Sequence, residues 1–299
     1  MTPPTSYAVV TPVRDELENL SRLAECLREQ TRRPAVWVVV DTGSQDGTPA
    51  LAASLAGSNE WISVRSAAAN GATAERGAPI VRAFHEGLKA LAHPPDVVVK
   101  LDADVSIECS YFEALLHEFA LDHTLGIASG SAYEEERGAW RRRHLTRTGV
   151  WGAARAYRWA CLQEILPLDE RMGWDSIDEF KANLRGWSTR TFLDLPFRHH
   201  RREGGREPGR CRVWSTQGRL AYYLGYRPSY LVLRSLYRTL REPAALAMVP
   251  AYAAELLRRE PRHPDREVRA YLRDRQRARR LWGTAQEALG RRGSRLEAG

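Results

Sequence analysis

Cysteine is scarce in this chain: Cys26, Cys109, Cys161 and Cys211 are spread through 299 residues. None is paired at a metal-ligand spacing, which argues against a zinc ribbon or a dense disulfide framework. A reduced cytoplasmic protein is the expectation. Long apolar runs are lacking too. The nearest, residues 244–257, is interrupted by Pro250 and Glu255. It falls short of the ~20 residues that a bilayer-spanning helix needs. Residues 1–6 are short and polar, so no secretory leader is expected there. No internal repeat occurs. What is present is a 43% hydrophobic composition, enough for one large α/β domain or two smaller ones.

Charge is distributed unevenly. From position 206 onward stand 21 arginines and 9 acidic residues, a surplus of twelve positive charges. The whole chain is only +8, so the first 205 residues carry a net −4. The asymmetry suits an anionic partner for the C-terminal part: a membrane surface, a phosphate-bearing acceptor or nucleic acid. No nucleic-acid motif accompanies the arginines, and nucleic acid is set aside.

Buried strands are expected at residues 7–11, 35–40, 61–64 and 96–101, each an apolar or β-branched run. Helices are expected at 19–30, 49–56 and 75–91. This alternation predicts an α/β domain with a mostly parallel sheet covered on both faces. Ligands of such sheets sit beyond the carboxyl ends of the strands. Residues 125–129 and 188–193 read as further strands and 176–185 as a helix ending at Gly186. Glu134, Glu135 and Glu136 read as a solvated loop. A Gly/Arg-rich linker at 201–210 separates residues 1–205, the catalytic domain, from a basic helical extension at 206–299. Helices are expected there near 217–224, 229–240, 244–259 and 265–288.

The sharpest chemical signal is Lys100-Leu101-Asp102-Ala103-Asp104-Val105. Two carboxylates two residues apart at a strand end face the same way and suit Mg2+ or Mn2+, which prefer oxygen ligands and leave positions open for phosphates. A polar turn capping the next helix would look the same. Asp41 closes the second strand and opens Asp41-Thr42-Gly43-Ser44-Gln45-Asp46-Gly47-Thr48. A carboxylate so placed can accept from a base edge or a ribose hydroxyl.

Thr11 through Glu16, then Asp41 through Thr48, then Asp102-Ala103-Asp104, then Trp174-Asp175 with Gly186 and His199-His200, together resemble the family 2 glycosyltransferases of GT-A fold, a nucleotide-diphospho-sugar transferase of Rossmann-like type, over residues 7–200. The family's usual second aspartate after Asp41 is here Thr42, and its usual Glu-Asp pair is Trp174-Asp175. The resemblance implies a metal-dependent, inverting, hexosyltransferase-like enzyme that uses a UDP- or GDP-linked sugar with Mn2+ or Mg2+. Its acceptor would be a sugar, a lipid-linked glycan or a small molecule. Thr11, Pro12, Glu16 and Asp41 would line the nucleoside pocket, with Arg76 near the donor. Asp102 and Asp104 would hold the metal-bound diphosphate, Asp104 more directly, and His199 would close the site. Asp175 would be the general base, with Asp178 its competitor. If the helix starts at Ser176, Asp175 is also a natural N-cap and Asp178 an N3 carboxylate.

Two rival functions remain in view. A nucleotidyltransferase would need a Gly-rich phosphate loop, and residues 11–16 contain no glycine. A non-catalytic nucleotide-sugar-binding or membrane-adaptor protein would have no use for an intact Asp102, Asp104 and Asp175. In the extension, tyrosines and leucines interleave with arginines. Peripheral contact with the inner face of the membrane through residues 217–260 is one expectation; packing on the catalytic domain or on a second copy in a homo-oligomer is the other.

Overall fold

The protein is described by a computed structural model covering residues 6–67, 77–136, 138–143, 149–201, 209–240 and 242–277. The chain divides into two compact units, Met1–Arg201 and Arg202–Gly299.

The first unit begins β1 (Tyr7–Val13), α1 (Leu17–Arg28), β2 (Val36–Asp41), α2 (Thr48–Ser58), β3 (Ile62–Ser66), α3 (Ala78–Lys89) and β4 (Val97–Leu101). β1, β2, β3 and β4 are mutually parallel neighbours, in the order β3-β2-β1-β4. Their apolar runs are continuous because both faces are covered. Val9, Val39 and Val99 face α1, α2 and α4 (Tyr111–Leu121), whose Leu20, Leu23, Leu55 and Phe112 pack there. Val10, Val38 and Val98 face α3, α5 (Trp159–Ile165) and α6 (Trp174–Leu184), through Phe84, Leu162 and Trp174. Trp37 is wholly buried in the first layer; truncating such a side chain to alanine costs about 3–5 kcal/mol. Gly87 lets α3 approach the sheet, since a Cβ there would lie 2.2 Å from Val10 Cγ1.

Beyond β4 the sheet becomes mixed. β5 (Val105–Ile107), β6 (Leu125–Glu136), β7 (Ala139–Arg142), β8 (Ala154–Arg158) and β9 (Ser188–His199) extend it in the order β4-β8-β6-β9-β5, with β7 paired to β6. β6 and β9 run parallel to each other, whereas β8, β5 and β7 are antiparallel to their neighbours. The sheet is therefore mostly parallel, as expected. Three local expectations need correction. β6 continues through Glu134 to Glu136, so Glu134 is a buried strand residue and not part of a solvated loop. β9 runs to His199 instead of stopping at residue 193. α6 begins at Trp174, with Gly173 as its left-handed N-cap residue, so Asp175 lies inside the first turn and is not the cap.

The second unit holds α7 (Arg210–Tyr223), α8 (Pro228–Thr239), a 3-10 turn (Pro243–Ala247), α9 (Met248–Arg258) and α10 (Arg266–Arg275). Ala221, Tyr222, Leu231, Met248 and Tyr252 form its small core. Gly218 lets α7 and α9 touch: a Cβ at that position would stand 2.3 Å from the Met248 carbonyl oxygen. Asp265 caps α10, accepting from the amides of Glu267 and Val268. No helix among the described residues is long and apolar enough to cross a membrane.

Candidate active site

Parallel β1, β2 and β4 deliver their C-terminal residues to one rim of the sheet, with β1 in the middle. The register pairs Val13 with Asp41 on one side and Val10 with Lys100 on the other. Thr11 is fully buried, and its hydroxyl accepts from Trp37 Nε1 at 2.9 Å. Pro12 precedes the end of β1. The two following loops are cross-braced. Asp15, held at φ 54°, donates its amide to Ser44 Oγ at 2.9 Å and accepts from the Gln45 amide on Oδ1 at 2.6 Å. Asp41 accepts from the Ser44 amide and hydroxyl. Thr42, where a second aspartate is usual, donates its hydroxyl to the Val13 carbonyl at 3.0 Å. Arg76 lies outside the described residues.

At the end of β4 the carboxylates meet protein cations. Lys100, 2% exposed, donates to Asp102 Oδ1 at 2.5 Å and to the Gly152 carbonyl at 2.9 Å. Asp104 faces His199 Nε2 at 3.4 Å and Arg201 Nη1 at 3.4 Å. The other ring nitrogen of His199 is 3.2 Å from Glu134 Oε1, and Glu134 is also paired with Arg143 at 2.9 Å. Arg201 grips Glu16 through two bonds, 2.6 and 2.8 Å. Glu16 is thus tied to the end of β9, while its amide donates to Thr48 Oγ1.

Electrostatics follow from this packing. Burial, helped by Asp104, raises the Asp102 carboxyl above its ordinary value, although Lys100 pulls it down. Burial also works to raise Asp104, but the hydrogen bond and charge of His199 and the Arg201 guanidinium hold it below the usual carboxylate range. Burial opposes charge on His199, yet Asp104 and Glu134 push its pKa up to about 9.

The third wall is the start of α6. Asp175 is half-buried. A Cβ on Gly152 would lie 3.4 Å from Asp175 Oδ2, and the Gly152 carbonyl is the one that Lys100 holds. Lys100 also sits 5.6 Å from the centre of the Trp174 ring. Lys100 thus links Asp102 to Gly152, and Gly152 in turn adjoins Asp175. Asp178 is differently placed: it is 1% exposed and accepts from Arg155 Nε at 3.0 Å, from Arg155 Nη2 at 2.5 Å and from the Tyr157 hydroxyl at 2.5 Å. Burial pushes its pKa up to about 7 against the pull of Arg155. Arg155 also donates to the backbone carbonyl of Asp175 at 2.6 Å.

Sequence reasoning assigned no role to Lys100 or Arg155, and it anticipated neither the Glu134–His199 nor the Arg201–Glu16 pairing. Lys100 was visible two residues before Asp102 at strand spacing. The others depend on pairings across β6, β8 and β9 that no local pattern encodes.

The family model for glycosyl transferase family 2 matches residues 8–178. That is more than half of the chain, and the chain belongs to this family. No curated protein sequence matches it significantly. Among solved structures, it resembles the mannosyltransferase PcManGT from Pyrobaculum calidifontis in complex with GDP-Man and Mn2+. The TM-score is 0.59 at 18% identity, covering 97% of this chain and 87% of that one. GalNAc-T7 with UDP, GalNAc and Mn2+ gives 0.58 at 14% identity, covering 88% and 59%. S. aureus TarS 1-349 in complex with UDP-GlcNAc gives 0.55 at 17% identity, covering 73% of this chain and 66% of that one. At these identities the likeness is one of fold. Together they define a GT-A architecture for this chain.

Proposed function

We propose that the chain transfers a sugar from a UDP- or GDP-linked donor to an acceptor hydroxyl with inversion. The observation that carries this reading is the joining of Asp102, Lys100, Gly152 and Asp175 into one contiguous group at the sheet rim that also bears Asp41 and Asp104. The three solved structures named above hold UDP-GlcNAc, GDP-Man, or UDP with GalNAc, the latter two with Mn2+.

In this reading Asp41 accepts from the nucleoside, and the β1 loop, braced through Asp15 and Glu16, shapes that side of the pocket. Asp102 and Asp104 offer hard oxygen donors, and His199, oriented by Glu134 behind it, offers an imidazole toward Asp104. This donor set fits Mn2+ or Mg2+. Among the described residues no three acidic, His or Cys side chains converge on a single point. Such ions commonly take few protein ligands and complete their shell with substrate phosphate and water. When bound, the ion offsets the charge that develops on the departing diphosphate.

Asp175 takes the acceptor proton. It is half-buried and at the open end of α6, whereas Asp178 is sealed under Arg155 and Tyr157. We assign Asp178 the positioning of Arg155, which in turn fixes the Asp175 backbone. A single carboxylate on the acceptor side suits one displacement with inversion. The test is turnover of UDP- and GDP-sugars with Mn2+ against an EDTA control. Release of nucleoside diphosphate that EDTA abolishes supports the reading. Nucleotide binding without turnover toward lipid-linked, oligosaccharide and small-molecule acceptors would instead mark a non-catalytic nucleotide-sugar-binding protein.

The helical unit presents its acceptor partner as a membrane-borne one in the same proposal. Val232, Leu233, Leu236, Tyr237 and Leu240 lie on one side of α8, exposed, opposite buried Leu231 and Ser235. Leu256 and Leu257 of α9 are exposed as well. Such a row on a unit whose sequence carries a twelve-charge basic surplus fits the interface of an anionic bilayer better than a second copy of the same basic unit. Flotation with anionic liposomes at low salt tests this; a chain that stays at the bottom of the gradient is not a membrane binder.

A further inference from the structure

The strand pair that carries His199 has a second face. Val105 pairs with His199 and Ser106 with Arg198; Glu134 pairs with His199 and Tyr133 with Arg198. Because side chains alternate along a strand, Ser106, Arg198 and Tyr133 face away from the Asp104–His199 group. β7 continues that second face, since Arg142 stands opposite Tyr133 and Trp140 opposite Glu135. A cavity of about 520 Å³ at the β5 edge is bordered by Ser106, Glu108, Tyr133, Trp140 and Arg198 and, from the other face, by Ile107 and Phe197, with Cys26 of α1 at its edge. Its volume lies within the ~300–1,000 Å³ typical of small-molecule sites.

The lining is built as well as placed. Arg198 lies 5.5 Å from the centre of the Trp140 ring, and Arg142 lies 5.5 Å from the centre of the Tyr133 ring. His200 meets the edge of Trp140 at 5.3 Å, and its Nε2 is 2.7 Å from Ser106 Oγ. Two aromatic rings are thereby braced by side chains of the same face. Guanidinium, carboxylate and hydroxyl groups stand around them.

We propose that this cavity is a carbohydrate-binding site separate from the transfer site, taking one or two neutral sugar residues. A pyranose presents polarised C–H bonds on one face and hydroxyls around its rim. The C–H face packs on the negative face of an aromatic ring. The hydroxyls both donate and accept, so they need the mixture found here: Arg198 to donate, Glu108 to accept and Ser106 to do either. Arg198 and Glu108 offset each other in the lining, which suits a neutral ligand, and a purely apolar one would leave these polar groups desolvated without partners. The site goes beyond the transfer reading and does not depend on it.

The test uses the full chain with four probes, maltose, cellobiose, chitobiose and mannobiose, read by saturation-transfer NMR and tryptophan fluorescence. At least one probe should bind, with saturation on its ring C–H protons, and binding should persist when UDP or GDP with Mn2+ is added. Trp140→Ala should weaken binding about tenfold or more, and Arg198→Ala should weaken it independently should the tryptophan variant fail to fold. The proposal is overturned if none of the probes binds, if both variants bind as well as the parent, or if nucleotide with Mn2+ displaces the sugar. Loss of nucleotide binding with sugar binding intact would count against the transfer reading alone.

Discussion

Replacing Arg155 by methionine should destabilise the first unit in a pH-dependent way. Arg155 is fully buried, and its guanidinium serves Asp178, Glu179 and the carbonyls of Val150 and Asp175. Methionine fills similar space but leaves two buried carboxylates without their cation. Breaking one side of a buried ion pair costs about 3–5 kcal/mol. For a unit of this size that is a loss of roughly 6–20 °C in melting temperature. The sign with pH follows from the carboxyls. Burial raises Asp178 to about 7 and raises Glu179, so both bind protons more tightly folded than unfolded. Such groups favour the folded state while protonated, and that contribution is lost as pH rises through the folded value. Arg155 counteracts the rise; without it both carboxyls move higher. The penalty should be small near pH 5 and grow toward pH 8, by up to about 1.4 kcal/mol per pH unit for each proton. Urea unfolding followed by circular dichroism across that range measures it. A variant as stable as the parent at pH 8, or one whose deficit is the same at pH 5 and pH 8, refutes the reasoning.

Asp175→Asn should lower kcat by about 10²–10⁴-fold while leaving donor affinity and melting temperature unchanged; full activity in a folded variant returns the base to another residue. Asp104→Asn should abolish the Mn2+-dependent part of thermal stabilisation by UDP or GDP, which at a hundredfold excess over Kd is worth about 2.7 kcal/mol. With His199 raised to about 9, Mn2+ uptake at neutral pH should release a proton from the ring. Calorimetry in buffers of different ionisation heats counts that proton, and zero release removes His199 from the ligand set. Gly218→Ala drives a methyl against the Met248 carbonyl and should destabilise the helical unit by about 1–3 kcal/mol, read as an early thermal transition.

The parallel half of the fold was legible because its strands are continuous apolar runs and its helices have the right period. Val97, Val98 and Val99 admit little else than a strand buried on both faces. The acidic candidates were legible because Asp41 and Asp102 directly follow such runs. The second half was not. Glu134-Glu135-Glu136 looks solvated by composition, yet Glu134 is held in β6 by His199 and Arg143, residues far apart in sequence. The start of α6 was displaced for a similar reason. Asp175 and Ser176 are good caps, but Gly173 takes the left-handed position and Trp174 packs into the second core layer, so tertiary burial overrides the local signal.

Burial explains why a pair such as Asp175 and Asp178, so similar in sequence, divides in role. Both lie within the first turns of one helix, three positions apart, and so share a side of it. The helix tilts that side so that the deeper carboxylate meets Arg155 and Tyr157 and the shallower one meets Gly152. A carboxylate held by three donors at 1% exposure has no open path for an acceptor hydroxyl. Its value is mechanical: it keeps Arg155 in place, and Arg155 keeps the Asp175 carbonyl in place at 2.6 Å. The same division recurs at the rim. Glu134 and Glu16, both nearly buried, orient His199 and Arg201, while the more accessible Asp102 is left where a ligand could exchange for Lys100. In each case the buried acid fixes a cation or a backbone, and the acid nearer the rim is the one with chemistry to offer.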